Sequence, residues 1–375
     1  MTEKIVALDI GSSHLRGIEA TIANGIPRIL KIAEIPIDSH IVQNGEILAP
    51  EALVVALGRL WKEGKFESKN VLTLASGSTI INRVVDALPW SKPEDFKKLL
   101  PYLVRDHVPF EIDEYYLDSH TLAEYKQPGD DVNVYKAVLL TGVNKDYVDS
   151  LVRILEANRF IPRGIDSLPL SLIRAHNFSE EYTPGQIVAS IELGADTTTI
   201  VMHQDHQPIY LHSAPGLGAD RITDRLALEL QLERPKAEFL KIALSLNEEE
   251  RETYTKTFLK EKGQVQSVQF SDFSEQDIQN ANYIISQEVS NLIAHINDIL
   301  EDSYTEPDSK VNVISLTGGG AKLNTLRQRL SNELSIDVKL ATPFGEERSK
   351  KIADYVFDNQ HAFSAVFGLL LGHNG

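Results

Sequence analysis

The 375-residue chain contains no cysteine, and this absence narrows the chemistry that it can perform. Disulfide bonds, thiol catalysis and cysteine-ligated metal centres are excluded, which fits a reducing compartment. Clusters of basic residues are missing as well, because 37 Lys and Arg stand against 54 Asp and Glu, for a net charge of -17. Nucleic acid and anionic membranes gain affinity from clustered positive charge, so neither is an expected ligand.

Long apolar runs are also lacking. The most apolar stretch near the C-terminus, Ala362 to Leu371, has about half of the roughly 20 residues needed to span a bilayer, so it is predicted to be a buried helix. No basic and then apolar leader precedes the first predicted strand. We therefore expect a cytoplasmic protein that reaches the membrane only through a partner. Its length and ordinary apolar content fit two globular domains.

One short motif occurs twice, each time as an apolar run that ends in a carboxylate and is followed by glycine and small residues. The first copy comprises Asp9, Gly11, Ser12 and Ser13, and the second comprises Glu192, Gly194, Ala195, Asp196, Thr197 and Thr198. Glycine permits a turn whose N–H groups and hydroxyls can point at a phosphate, while the carboxylate can hold magnesium through its waters. Two copies predict two similar lobes that close on one nucleotide.

A third glycine element follows the predicted strand Val311 to Leu316. It contains the consecutive residues Gly318, Gly319 and Gly320. Glycines between a strand and a helix let the backbone approach a phosphate or a planar group closely, and the next helix offers free N–H groups. This third turn supports a single nucleotide site.

The remaining pattern predicts an α/β chain with an insertion. Predicted strands flank the Asn24-Gly25 hairpin turn at His14 to Ile22 and Arg28 to Ile37, followed by a helix from Pro50 to Trp61 and a strand from Asn70 to Ala75. After Arg83 a capping box at Ser91 to Glu94 predicts a helix that stops near Val108-Pro109. Two strands, Tyr115 to Ala123 and Val132 to Thr141, and a helix from Lys145 to Asn158 complete the insertion.

The second half is predicted to be mostly helical between Asp220 and Tyr304. Apolar residues recur there at helical spacing and predict a core face: Ile285, Val289, Leu292, Ile296 and Ile299. We therefore predict a first lobe at 1–82, completed by 164–186 and 345–375, and an inserted subdomain at 83–163. The second lobe is predicted at 187–344, with a helical subdomain at 219–304.

Together these motifs resemble the actin-like ATPase superfamily. The run Val108 to Glu114 with the strand Tyr115 to Asp118, and the segment Leu155 to Pro162 with Gly164 to Asp166, are similar to the PilM family of type IV pilus assembly proteins. The resemblance implies a two-lobe actin-like fold with an FtsA/PilM-type insertion in the first lobe. It also implies an ATP-binding component at the inner face of the cytoplasmic membrane, which binds the N-terminal tail of PilN between first lobe and insertion and works with other pilus assembly proteins.

The resemblance implies a role for each motif. Asp9 and Glu192 would hold Mg²⁺ through waters, and the two repeated turns would bind the phosphates of ATP. Arg16 would face the phosphates, or would project into solvent from its strand. The remaining contacts implied for the ribose and adenosine are Gly218, Ala219, Asp220, Glu238, Lys241, Gly318, Gly319, Gly320 and Leu323.

Three departures from the family pattern make ATP binding better supported than hydrolysis. Glu192 replaces an aspartate and moves the charge by roughly 1.5 Å, and a misplacement of about 1 Å can cost on the order of a hundredfold in rate. Ala219 replaces a glycine, which restricts the backbone slightly. Leu168 stands where related ATPases have a glutamate before proline, although Asp166 is near. We expect at most a weak ATPase.

Alternative functions remain open. An FtsA-like filament-forming protein of cell division usually ends in a basic amphipathic helix, whereas this chain ends Gly372-His373-Asn374-Gly375. A sugar or metabolite kinase on the same fold needs a catalytic carboxylate aimed at a substrate hydroxyl, and no convincing candidate is present. A metal site at His203, Asp205, His206 and His212 is less favoured than a solvated hairpin turn.

Overall fold

The computed structural model describes residues 3–89, 98–102, 105, 111–126, 133–179, 183–261, 268–304, 310–323, 325–345, 356 and 358–373. The predicted capping box at Ser91 to Glu94 and the helix end at Val108-Pro109 lie outside these residues. No helix within the described part of the chain combines the length and the apolar character needed to cross a membrane.

Fifteen strands are present in the described residues. In the first half they are β1 Lys4–Ile10, β2 His14–Ala23, β3 Ile26–Pro36, β4 Val42–Gln43, β5 Glu46–Ile47, β6 Asn70–Ala75, β7 Ile80–Pro89, β8 Tyr115–Tyr125, β9 Tyr135–Asn144 and β10 Ile161–Ser167. In the second half they are β11 Ile187–Leu193, β12 Thr197–Gln204, β13 Gln207–Pro215, β14 Val313–Thr317 and β15 Asp337–Leu340.

Several α-helices accompany the strands, and residues 98–102 are helical as well. The labelled helices are α1 Pro50–Gly64, α2 Lys145–Ala157, α3 Leu168–Ser179, α4 Asp220–Glu229, α5 Arg234–Ala243, α6 Glu248–Glu261, α7 Glu275–Ser303, α8 Leu326–Leu334 and α9 Ser364–Leu371. Short 3₁₀ turns include Gly77–Thr79, Gly319–Lys322 and Gln360–Phe363. The predicted hairpin strands and the helix that begins at Pro50 are confirmed.

The two large sheets have the same strand order. In the first lobe the order is β3-β2-β1-β6-β10, and in the second lobe it is β13-β12-β11-β14-β15. In each sheet the three strands on one side are antiparallel, and the central strand pairs in parallel with the next strand along. Two lobes of the same topology confirm the predicted α/β actin-like fold class.

The first hairpin contains an irregularity that matters at the site. Asn24 and Gly25 adopt the left-handed conformations that a tight two-residue turn requires. Farther from the turn, the register between β2 and β3 shifts between Glu19 and Ala20. Such a bulge gives one strand an extra residue, and every pair beyond it changes partner.

Apolar side chains cover both faces of the sheets. Helices α1 and α2 pack on one face of the first sheet through residues such as Leu57 and Leu151, and α3 and α9 cover the other face. The predicted stripe on α7 lies in the core of the second lobe, where Val289 is fully buried. The C-terminal segment from Ala362 to Leu370 is buried too, which confirms the predicted buried helix.

A third sheet, in the order β7-β9-β8, stands apart from the two large ones. It has a small core of its own that includes Val85, Leu88, Val138 and Leu140. This sheet leaves the first lobe after the 3₁₀ turn Gly77–Thr79 and returns to it through α2. An inserted subdomain in this part of the chain remains our proposal for the domain division.

Helices α3 and α9 approach each other so closely that one position tolerates no side chain. A Cβ atom at Gly368 would overlap the backbone at Ser171. We expect Gly368→Ala to lower the free energy of unfolding by about 1 to 3 kcal/mol, because backbone must move to admit the methyl group. Chemical denaturation of both proteins measures the difference.

The matched control is Gly58→Ala in α1, where the nearest atom to an added Cβ is 3.4 Å away. Alanine has a higher helix propensity than glycine at an exposed helix position, so the free energy of unfolding of this variant should rise by up to about 1 kcal/mol. Equal effects of the two substitutions would contradict the close helix contact.

Candidate functional site

The two copies of the repeated motif form the same turn. The N–H of Gly11 donates to the carbonyl of His14 at 3.1 Å, and the N–H of Gly194 donates to the carbonyl of Thr197 at 2.9 Å. Both turns connect antiparallel neighbours, β1 with β2 and β11 with β12. The sequence repeat therefore corresponds to a repeat in backbone hydrogen bonding.

The carboxylates occupy equivalent positions on the central strands, but their cross-strand partners differ. Asp9 pairs in register with Arg16, whereas Glu192 pairs in register with Thr199. Only the first copy therefore carries a cation opposite its acid.

The third glycine element lies against the second turn. Gly318 has a φ of 87°, and a Cβ atom there would lie 2.8 Å from Oε1 of Glu192. A Cβ atom at the adjacent Gly319 would lie 3.4 Å from an Nη atom of Arg16. Because Arg16 belongs to the first lobe and Glu192 to the second, this element adjoins residues of both lobes.

The Gly218–Asp220 segment is bonded to the second turn. Ala219 donates its N–H to the carbonyl of Gly194 at 3.0 Å, and Asp220 donates to the carbonyl of Ala195 at 2.8 Å. A side chain at Gly218 would overlap the backbone of Ala195. Ala219 has an ordinary helical φ of -66°, so alanine fits there without strain.

Arg16 points into the cleft and not into solvent, since its side chain is only 11% exposed. Its Nε lies 2.5 Å from Oε2 of Glu34, and Nη1 lies 3.7 Å from Oδ2 of Asp9. The guanidinium also lies 5.9 Å from the ring centre of Phe363. Glu34 and Phe363 were not predicted as site residues from the sequence.

Asp9 and Glu192, the carboxylates at the ends of the two apolar runs, have raised pKa values. Burial raises the pKa of Asp9, and Arg16 only partly opposes this effect. Burial and the nearby charge of Asp9 raise the pKa of Glu192 to about 8. Glu34 differs, because Arg16 outweighs burial and lowers its pKa. The cleft therefore holds more carboxylate than Arg16 neutralises, which suits a bound cation.

Glu238 and Lys241 are bonded to each other, and Lys241 also donates to the carbonyl of Ala219. Nζ of Lys241, which is buried, lies 2.7 Å from Glu238, 2.9 Å from the hydroxyl of Thr223 and 3.3 Å from the carbonyl of Ala219. Three acceptors match the three N–H donors of a lysine. Lys241 therefore fixes the turn at Ala219, and Thr223 is a further site residue that the sequence did not reveal.

Asp166 is engaged in an ion pair. One carboxylate oxygen accepts from Arg174 and the other accepts from the N–H of Ser167 at 2.7 Å. The carboxylate of Asp166 therefore stabilises local structure. Both of its oxygens are already engaged, so it is not free to position a water molecule near Leu168.

The histidines of the β12–β13 hairpin form no metal site. Asp205 and His206 lie at the turn with φ values of 48° and 69°, while His203 is buried 3.4 Å from the hydroxyl of Ser190. Within the residues that the structure describes, no group of three or more His, Asp or Glu could ligate a metal ion. Asp205 and His206 are exposed in the turn of the hairpin, where the sequence predicts them.

Two lobes of one topology, with equivalent turns facing a shared glycine element, define an actin-like ATPase fold. The solved structure titled "PilM-PilN type IV pilus biogenesis complex" has this fold, with a TM-score of 0.77, 19% identity and coverage of 99% of this chain and 98% of that one. The family model of type IV pilus assembly protein PilM matches residues 7–285, and the chain belongs to this family.

More distant structures share the fold. Ethanolamine utilization protein EutJ from Carboxydothermus hydrogenoformans matches with a TM-score of 0.55, 11% identity and coverage of 100% of this chain and 91% of that one. MreB5 of Spiroplasma citri bound to AMPPNP matches with a TM-score of 0.50, 11% identity and coverage of 98% and 95%. No curated protein matches the sequence.

The raised pKa of Glu192 predicts a pH-dependent stability. The folded protein holds a proton on Glu192 up to about pH 8, while the unfolded chain releases it near 4.3, so stability is lost as pH rises through this window. Glu192→Gln cannot lose that proton. Relative to the parent, its free energy of unfolding should increase by up to about 1 kcal/mol per pH unit between pH 5 and 8.

Urea denaturation of both proteins at several pH values measures this difference. A difference that stays constant from pH 5 to 8 would show that Glu192 titrates normally.

Proposed function

We propose that this chain is a cytoplasmic ATP-binding component of type IV pilus assembly. It binds the N-terminal tail of a PilN-like membrane protein, links the membrane complex to the cytoplasmic machinery, and hydrolyses ATP slowly or not at all. The proposal that the chain binds a nucleotide rests on the convergence of three glycine elements on two partly buried carboxylates, Asp9 and Glu192, from different lobes. PilM family membership carries the pilus part.

The residues of the cleft fit ATP with Mg²⁺. Gly319 presents bare backbone beside Arg16, while Gly318 packs against the main chain of Leu193 in a conformation that favours glycine. Burial raises the pKa values of Asp9 and Glu192, and the charge of Arg16 opposes this effect only in part. Mg²⁺ would neutralise charge between protein and phosphates, with Asp9 and Glu192 holding its waters. The nucleotide bound by MreB5 supports this choice of ligand.

Slow hydrolysis follows from the acids that are present. The longer side chain of Glu192 places its charge differently from an aspartate. Asp166, the nearest alternative for orienting water, is held by Arg174. The nucleotide would then serve mainly as a structural ligand or a switch.

The third sheet offers a surface for the partner tail. Tyr116 on β8 is 50% exposed where this sheet meets α2, and Lys145 of α2 lies 5.5 Å from its ring centre. Exposed acidic side chains on this part of the chain outnumber the exposed basic Arg153: they are Asp113, Glu114, Asp118, Asp146 and Asp149. We propose that a tail with basic and apolar residues binds here, its charge complementing these acids.

Nucleotide binding depends on Asp9 in this proposal. Asp9→Ala should abolish the binding of Mg-ATP, and Asp9→Asn, which keeps the shape and removes the charge, should do the same. Calorimetric titration measures the affinity, and thermal melting without nucleotide verifies that both variants fold. Asp298→Ala, an exposed carboxylate on α7, is the control and should bind as the parent does. Parental affinity in both Asp9 variants would contradict the site.

Partner binding is expected to depend on Tyr116. Tyr116→Ala should weaken binding of a synthetic N-terminal peptide of the PilN-like protein about tenfold or more, as loss of an aromatic anchor does. Tyr283, which is 63% exposed on the second lobe, gives the matched control Tyr283→Ala with unchanged affinity. Calorimetry with and without Mg-ATP measures both. Absence of peptide binding to the parent in either state would contradict the proposed function.

A further inference from the structure

A direct hydrogen bond joins the two lobes at the second phosphate-type turn. Oδ2 of Asp196 accepts the main-chain N–H of Asn44 at 2.7 Å. Asn44 lies between the short strands β4 and β5 of the first lobe, and Asp196 lies between β11 and β12 of the second. Asp196 therefore directs its carboxylate across the cleft to the opposite lobe.

The first-lobe side of this bond is rigidly held. Asn44 and Gly45 both have positive φ values, 49° and 85°, and the carbonyl of Asn44 accepts from the N–H of Ser78 at 2.9 Å. A side chain at Gly77 would overlap that carbonyl. Because β7 of the third sheet begins at Ile80, directly after this turn, Asn44 is fixed to the base of the third sheet.

The bond is also incomplete. Oδ1 of Asp196 and Oδ1 of Asn44 are both shielded from solvent, and neither has a hydrogen-bond partner. Buried acceptors without partners destabilise the arrangement that contains them, which offsets what the one charge-assisted bond contributes. Because these two effects oppose each other, the contact contributes little net free energy to the closed arrangement and can break at low cost. Reversible opening and closing of the lobes requires such a contact.

The first turn has no counterpart of this contact. Two residues after its glycine it carries Ser13, whose hydroxyl lies 3.0 Å from Nδ1 of His14 within its own lobe. The second turn carries Asp196 at the equivalent position. The interlobe contact is therefore a specific property of one turn and not a consequence of the shared backbone geometry.

We propose that Asp196 and Asn44 form an interlobe latch, which holds the lobes closed while the bond is made and releases them when it breaks. Through the Gly77–Thr79 turn, the latch ties the closure of the cleft to the base of the third sheet. This regulation concerns the cleft of the proposed nucleotide site and rests on that function for its purpose, but the latch itself belongs to the protein without ligands.

Lobe separation tests the latch directly. Because the chain has no cysteine, Val55→Cys on α1 and Leu228→Cys on α4 introduce two unique labelling sites, at side chains 73% and 79% exposed. Electron spin resonance then gives the distance distribution between spin labels, without nucleotide or partner. In this background Asp196→Ala should shift the distribution to longer distances, and Asp298→Ala should leave it unchanged.

A conservative variant and a second readout complete the test. Asp196→Asn keeps an acceptor oxygen and should retain most of the short-distance population. Hydrogen exchange at the Asn44 amide should be about tenfold or more faster in Asp196→Ala than in the parent. An unchanged distance distribution or an unchanged exchange rate would overturn the proposal. Both readouts omit ATP, so a failure of Mg-ATP to bind would refute the proposed function without altering either outcome.

Discussion

A single buried guanidinium organises the first-lobe side of the cleft. Arg16 contacts carboxylates on both neighbouring strands, and it lies beside the third glycine element and the ring of Phe363. Four separate stretches of chain therefore meet around one positive charge. Without that charge, Asp9 and Glu34 would face each other in a poorly solvated space, which is costly for two carboxylates. The geometry of the first phosphate-type turn depends on this pairing.

The second turn has a different physical character, although its backbone is the same. Burial raises the pKa of its longer acid, Glu192, to about 8, and its next carboxylate, Asp196, bonds to the other lobe. The Gly218–Asp220 segment donates hydrogen bonds to this turn, and Lys241 donates to the carbonyl of Ala219 within that segment. The second lobe thus contributes the acids Glu192 and Asp196 on a turn that other hydrogen bonds hold in place, and the first lobe contributes the cation, Arg16.

Much of the fold could be predicted from the sequence, because its signals are local. The Asn24-Gly25 turn, the proline-started α1 and the apolar spacing on α7 each depend on neighbouring residues. The partnership of Arg16 with Glu34 could not be predicted. Counting back from a two-residue hairpin pairs Arg16 with Ala33, and only the bulge between Glu19 and Ala20 shifts the register to Glu34. Asn44 was missed because its partner lies 152 residues away.

The differing cross-strand partners of the two acids make the halves of the molecule interdependent. Where β2 supplies Arg16 opposite Asp9, β12 supplies the neutral Thr199 opposite Glu192. The positive charge that acts on Glu192 comes instead from Arg16, across the cleft. Each lobe repeats the strand order of the other, yet only the first lobe places a cation, Arg16, opposite its acid. The two lobes share one architecture, but the second lobe relies on Arg16 of the first lobe to offset the charge of Glu192. The lobes are therefore not interchangeable.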